Sequence, residues 1–253
     1  MPASGALYYL LHASGDPTRP PLVLIHNLGG SSLDWPPEIR RLSAGRIFAL
    51  DLPGHGKSAG AGQQAVDGYA QSLAAFLNEL NLKRAVVVGH GLGGAIALEL
   101  GRRCRARLAG LCLINSGARL PVPGDILENV AHPSTRPLAV QALTSLLSGP
   151  QTPAPLVDAL TGRLNAVRPS VLHADLQACD AFDFTRHLKR IPVPVLVIGG
   201  TEDRFTPPAF AQALAASLPH AALQMIDGAS HLAPWEEPRR IAALLDLFTA
   251  TLR

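Results

Sequence analysis

Charged residues are scarce in this chain, at 16% of 253 positions against 47% hydrophobic. That balance excludes an intrinsically disordered chain, which needs high charge and few apolar residues. Cysteine is rarer still. Cys104, Cys112 and Cys179 are odd in number and lack metal-ligand spacing, so neither a disulfide framework nor a zinc site is expected, only core thiols in a reducing compartment. The nine histidines show no H-E-x-x-H or paired spacing, and no glycine-rich phosphate loop with its lysine occurs, so no metal and no cofactor is expected. Long apolar runs are missing too. Ala6 to Leu11 is too short for a signal-peptide core or a membrane span and has no basic residue before it, which predicts a soluble, cytoplasmic protein with no membrane partner. Aromatics make up only 5%, and none interleaves with the densest basic run, Arg102, Arg103, Arg105 and Arg107. Cations there suit the end of a helix, and no nucleic-acid partner is expected. Oligomeric state is not legible.

What is present is a regular alternation. β-rich apolar runs occur at Leu7–Leu11, Leu22–His26, Ile47–Leu52, Ala85–Gly89, Leu111–Asn115, Val193–Gly199 and Leu223–Asp227, with helix-period stretches near 66–80, 92–103, 208–217 and 236–251. Strands alternating with helices predict an α/β fold with a mostly parallel central sheet flanked by helices. From Ala118 to Arg190 no strand-like run occurs, prolines recur, and Leu138–Leu147 and Leu156–Leu164 carry helical spacing. A helical lid over 118–190 is expected, inserted into a core of 1–117 and 191–253.

The most telling absence is one hydroxyl. Gly89-His90-Gly91-Leu92-Gly93-Gly94 joins the run Ala85–Val88 to the helical Ala95–Leu100. Strand, sharp turn and helix are the setting of a nucleophile elbow, G-x-S-x-G, whose serine sits at the tip. Here the tip is Gly91.

The partners of such a nucleophile are in order. Beyond the run Val193–Gly199 lies Thr201-Glu202-Asp203, and beyond Leu223–Asp227 lies Gly228-Ala229-Ser230-His231. Acid and base thus follow the elbow in the chain order of an acyl-transfer triad, each in a loop after a strand. Two backbone N–H groups should hold an oxyanion: Leu92, just past the tip, and Leu28, in His26-Asn27-Leu28-Gly29-Gly30 after an earlier strand.

These motifs, with Asp51-Leu52-Pro53-Gly54-His55-Gly56-Lys57-Ser58, resemble the α/β-hydrolase superfamily over nearly the whole chain. Size and lid resemble small esterases and lactonases, such as 3-oxoadipate enol-lactonases, pimeloyl-carrier-protein methyl ester esterases and carbon–carbon bond hydrolases. The resemblance implies an α/β-hydrolase fold, Asp203 orienting His231, and Leu28 and Leu92 donating to an oxyanion. It makes His55 a loop-stabilising residue, and His90 is expected to pack beside the tip. Two departures stand out: Asn27 replaces a glycine common in such oxyanion loops, and Gly91 replaces the serine.

A nucleophile elbow holds its tip at positive φ, which costs a non-glycine residue about 1–3 kcal/mol, whereas glycine adopts it freely. The turn should survive while the attacking atom is lost. Three readings stay open. The completeness of every other motif puts first a carboxylesterase or lactonase inactivated by Ser→Gly replacement, in which Gly91→Ser alone should restore ester hydrolysis. The second is a native glycine enzyme, a cofactor-free hydrolase, lyase or cyclase using His231 and Asp203 as a general base. The third is a silent ligand-binding protein. The expected partner is a small-molecule ester or acyl compound. Leu28, Trp35, Leu143, Leu147, Leu172 and Leu232 are the expected pocket lining, and the lid histidines His132 and His173 are expected at the surface.

Overall fold

The computed structural model describes residues 7–13, 15–42 and 45–252. Among them, seven strands form one sheet: β1 (Tyr9–His12), β2 (Leu22–Ile25), β3 (Ile47–Leu50), β4 (Ala85–His90), β5 (Leu108–Ile114), β6 (Val195–Gly200) and β7 (Ala221–Ile226). Their spatial order is β1-β3-β2-β4-β5-β6-β7. All neighbours are parallel except β1 and β3. The five central strands are buried along their whole lengths, as continuous Val/Ile/Leu runs require when helices cover both faces. At the edge, β7 alternates between half-buried and exposed positions.

Ten helices follow in chain order: α1 (Pro37–Arg40), α2 (Val66–Glu79), α3 (Leu92–Arg103), α4 (Gly124–Val130), α5 (Arg136–Leu147), α6 (Ala154–Ala166), α7 (Pro169–Asp180), α8 (Pro208–Ser217), α9 (Ala233–Glu236) and α10 (Pro238–Ala250). Strand alternation divides the core. Val23, Ile25, Val87, Leu111 and Leu113 join the cluster that contains α2, α3 and the 118–190 segment, while Leu22, Leu24, Val86, Val88 and Ile114 join the one that contains α1 and α10.

Three departures from the expected elements have local causes. The first strand begins at Tyr9, not Leu7, and runs antiparallel at the sheet edge, where Leu11 lies exposed. The 118–190 segment holds four α-helices among the described residues, two of them beyond the stretches Leu138–Leu147 and Leu156–Leu164. Its prolines act less as breakers than as starters: α5, α6 and α7 each carry one in their first two positions, where the missing N–H would have no intrahelical partner. The stretch expected over 236–251 is α10, and a short helix not expected, α9, precedes it, ending where Glu237 leaves helical geometry before Pro238 restarts the chain.

The four-helix segment is tied down at both ends and in the middle. Its ends meet through a bridge of Arg119 with Asp183, and the Phe184 N–H donates to Ala118 O at 2.8 Å. In α6, Arg163 pairs with Asp34 and lies 4.2 Å over the Trp235 ring. No described helix is long and apolar enough to cross a membrane. Arg102 and Arg103 end α3 in ion pairs with Glu99 and Asp67.

Candidate active site

Between β4 and α3 stands a single residue, Gly91, at φ 53° and ψ −114°. The positive φ is the one an elbow imposes, and glycine meets it without a Cβ clash. Two bonds fix the tip: the Gly91 N–H donates to Ile114 O at 3.0 Å, and Ser116 Oγ donates to Gly91 O at 2.9 Å. Gly93 lets the first turn of α3 lie against the end of β2, where a β-carbon would stand 2.8 Å from His26 O.

Across from the tip lie the acid and the base. Asp203 follows β6 and His231 follows β7, so two adjacent strands deliver them to the same end of the sheet. His231 Nδ1 donates to Asp203 Oδ2 at 2.9 Å, both side chains being fully buried. The same carboxylate accepts the Phe205 and Thr206 N–H groups at 2.9 and 2.8 Å, and Thr206 Oγ1 and Asn115 Nδ2 at 2.6 Å each. Burial pushes the Asp203 carboxyl up. The charge of His231 and these hydrogen bonds outweigh it and hold the group below the usual carboxylate value. The carboxylate therefore stays ionised and fixes the imidazole tautomer, leaving the other nitrogen, Nε2, as the basic one.

That nitrogen is buried and has no hydrogen-bond partner among the described residues. It faces the elbow, since a β-carbon built on Gly91 would lie 3.0 Å from it. Phe205 stands edge-on to the ring, with centroids 5.1 Å apart. His90 does more than pack: its Nε2–H donates to the His231 carbonyl at 2.7 Å. Burial, reinforced by the neighbouring His231, pushes His90 down to about 3, so it stays a neutral donor.

The loop His26-Asn27-Leu28-Gly29-Gly30, expected to hold an oxyanion, follows β2. His26 secures it, with Nδ1–H donating to Asn27 O at 2.7 Å and Nε2 accepting the Leu52 N–H at 3.1 Å. Gly29 donates its N–H to Asp175 Oδ2 at 2.7 Å, reaching across to α7. The Leu92 N–H is not vacant. It donates to Asn27 Oδ1 at 3.1 Å, so the asparagine amide lies over the elbow.

The expected lining residues separate. Leu28, Leu92, Leu143, Leu147, Leu172 and Leu232 share one buried cluster, and Leu172 packs with Leu164 over Gly29. Trp35 does not join them. Its indole is buried in the cluster of α1 and α10, edge-on to His90 at 6.4 Å, because the turn after the oxyanion loop directs it to the other face of the sheet. It is a framework residue rather than a lining one. His132 is exposed and His173 half-buried. His55 holds its loop from within, donating to Asp175 Oδ2 at 2.8 Å.

Several residues around the site carried no legible signal. Asn115 takes φ 46° just after β5, and that turn aims its amide at Asp203. Thr206 had a faint one, since a residue three positions after an aspartate can return N–H and hydroxyl to the carboxylate. Asp175 had none. It is a charged residue inside a helix, and only packing shows that it is fully buried.

The mostly parallel sheet, the glycine elbow and the acid and base on successive strand ends define a hydrolase-type α/β protein. The sequence pattern of the alpha/beta hydrolase family matches residues 22–244, and the chain belongs to that family. Among curated relatives, it is 31% identical over 230 residues to the dihydrolipoyllysine-residue acetyltransferase component of an acetoin cleaving system from Pseudomonas putida, covering 87% of this chain and 61% of that protein. It thus spans less than two thirds of that relative's length. It is 29% identical to a pimeloyl-[acyl-carrier protein] methyl ester esterase from Neisseria meningitidis, covering 87% of this chain and 90% of the other. The enol-lactonase of Burkholderia xenovorans shares the fold with a TM-score of 0.87 at 22% identity, over 97% and 96% of the two chains.

Proposed function

We propose that this chain hydrolyses a small carboxylic ester, lactone or related acyl compound, with His231 activating water in place of a serine. The observation that carries the reading is the buried, unpartnered His231 Nε2, oriented through Nδ1 by Asp203 and aimed at a tip that bears no side chain. A buried polar nitrogen without a partner calls for an explanation, and a base aimed at the elbow supplies one.

In this reading, Nε2 takes a proton from water as the water oxygen bonds to the acyl carbon. The tetrahedral oxyanion is held by the Leu92 and Leu28 N–H groups. The intermediate then expels the alkoxide, which receives the proton from Nε2, so ester and water yield acid and alcohol with histidine restored. The 118–190 helices serve as a lid, and Leu143, Leu147, Leu172 and Leu232 favour an apolar acyl group. The proposed partner is this small molecule, with neither nucleic acid nor membrane involved, and the proposed compartment is the cytoplasm.

A second reading, a serine carboxylesterase inactivated by Ser→Gly replacement at position 91, is favoured by the retention of the acid, the base and the elbow. One experiment separates the two. On a short-chain aryl ester, water attack gives linear product release without a burst and no acyl adduct on the protein, and His231→Ala lowers kcat by about 10²–10⁴-fold. Turnover undiminished in His231→Ala, or an acylated protein, overturns the proposal. Ester hydrolysis gained by Gly91→Ser, alone or together with Asn27→Gly, would support the second reading.

A further inference from the structure

The two positions that depart from the family pattern touch each other. Asn27 stands where an oxyanion loop of this kind commonly carries glycine, and Gly91 stands where the elbow carries serine. In the fold Asn27 turns its amide inward, 7% exposed, and Oδ1 accepts the Leu92 N–H at 3.1 Å. A β-carbon on Gly91 would clash with that same Oδ1 and lie 2.6 Å from Asn27 Cγ. Real β-carbons do not approach other atoms so closely, so the Asn27 side chain must rotate away, and its backbone cannot follow. Its carbonyl is pinned by His26 Nδ1–H at 2.7 Å and by the Gly30 N–H at 3.1 Å. The next glycine is held by Asp175.

We propose that Asn27 is a side-chain plug of the oxyanion site and that Gly91 is the residue that makes room for it. The amide oxygen occupies the donor that a substrate carbonyl would use, so an acyl compound enters only by displacing it. A serine at position 91 and an asparagine at position 27 are mutually exclusive in this conformation. Gly91→Ser alone therefore drives the Asn27 amide out of its seat at a cost in stability, and the nucleophile returns unhindered only when position 27 is cleared as well. Asn27 is a positioning and gating residue, and it selects ligands that offer an acceptor to the Leu92 N–H. The proposal rests on Leu92 being the oxyanion donor, as in the proposed function, but not on whether water or a side chain attacks.

The test is a double-mutant cycle of Asn27→Gly and Gly91→Ser in the full chain, read by melting temperature and by covalent labelling with a fluorophosphonate, which marks an activated serine. With Asn27 present, Gly91→Ser should lower Tm by about 5 °C or more. With Asn27→Gly present, the drop should be at least about 3 °C smaller, since the strain of positive φ is common to both and cancels. The double variant should label at least about tenfold faster than Gly91→Ser. Equal Tm shifts in the two backgrounds overturn the plug. Coupled Tm values with no labelling of the folded double variant keep the plug and overturn the return of the nucleophile, while water attack stands or falls on the His231→Ala kinetics. Labelling without coupling does the reverse. Should Gly91→Ser not fold, Asn27→Gly alone decides: hydrogen exchange of the Leu92 amide accelerates at least about tenfold if Oδ1 is its acceptor, and an unchanged rate overturns the proposal.

Discussion

Among the described residues, two histidine–aspartate pairs are buried, His231 with Asp203 at 2.9 Å and His55 with Asp175 at 2.8 Å, all four side chains inaccessible to solvent. By distance and burial they are twins. They differ in what else each ring and carboxylate touches. His55 spends both nitrogens, Nε2 on Asp175 and Nδ1 on Pro53 O at 3.1 Å, while Asp175 also takes the Tyr69 hydroxyl and the Gly29 N–H. His231 spends only Nδ1, and its Nε2 is left over at the elbow. The second nitrogen is what separates the two pairs: it is bonded within the fold in His55 and left over in His231, as the proposed function requires. The one with both nitrogens used ties α7 to the loops around the oxyanion site.

The largest expected contrast is in turnover. His231→Ala should cost about 10²–10⁴-fold in kcat, whereas His55→Ala should cost less than about tenfold while lowering Tm. Steady-state kinetics on one ester checks both, and an equal loss in the two variants would erase the distinction.

Stability should reverse the order. Asp175→Ala leaves His55, Tyr69 and Gly29 without their shared acceptor. Removing one partner of a buried pair costs about 3–5 kcal/mol, or roughly 10 °C in Tm for a chain of this length. A melting temperature unmoved by Asp175→Ala would mean that α7 is not held through this carboxylate.

The pH dependence of stability separates the histidines by sign. Burial, with His55 beside one and His231 beside the other, pushes His26 down to about 4 and His90 to about 3 from an ordinary 6.5. As pH falls from 6.5 toward 4, the unfolded chain binds protons that the folded chain refuses, so stability falls by a few kcal/mol. His55 is opposite. Burial alone would lower it, but the Asp175 carboxylate beside it raises it above 6.5. Its contribution is complete below that pH and is lost as pH climbs through the raised value. Tm measured from pH 4 to 9 should show His90→Gln flattening the acid side and His55→Gln the alkaline side.

The smallest effect is at the support of the acid. Thr206→Val deletes one hydroxyl bond to Asp203, worth about 1–2 kcal/mol, and should lower kcat about tenfold with little change in KM. A matching rise in KM would instead place Thr206 against substrate.

Legibility tracked how local each feature is. Strand runs, the turn at Gly91 and the loops of Asp203 and His231 are set by neighbours in sequence, through period, glycine and strand-end position. The prolines of the helical segment mark where its helices begin, though only two of the four helices showed a clear apolar period. Trp35 misled because nearness in sequence to the oxyanion loop says nothing of which side of a sheet an indole takes.

The chain order of elbow, acid and base, and the absence of a hydroxyl at the tip, follow from the residues alone, since a sharp turn after a strand needs only its own few positions. Where the Asn27 amide rests, that His231 keeps Nε2 free at the elbow, and that Asp175 reaches His55 from 120 residues away were decided by folding. Those contacts join segments whose separation in sequence carries no information about their distance, and only close packing around the sheet brings them within a hydrogen bond.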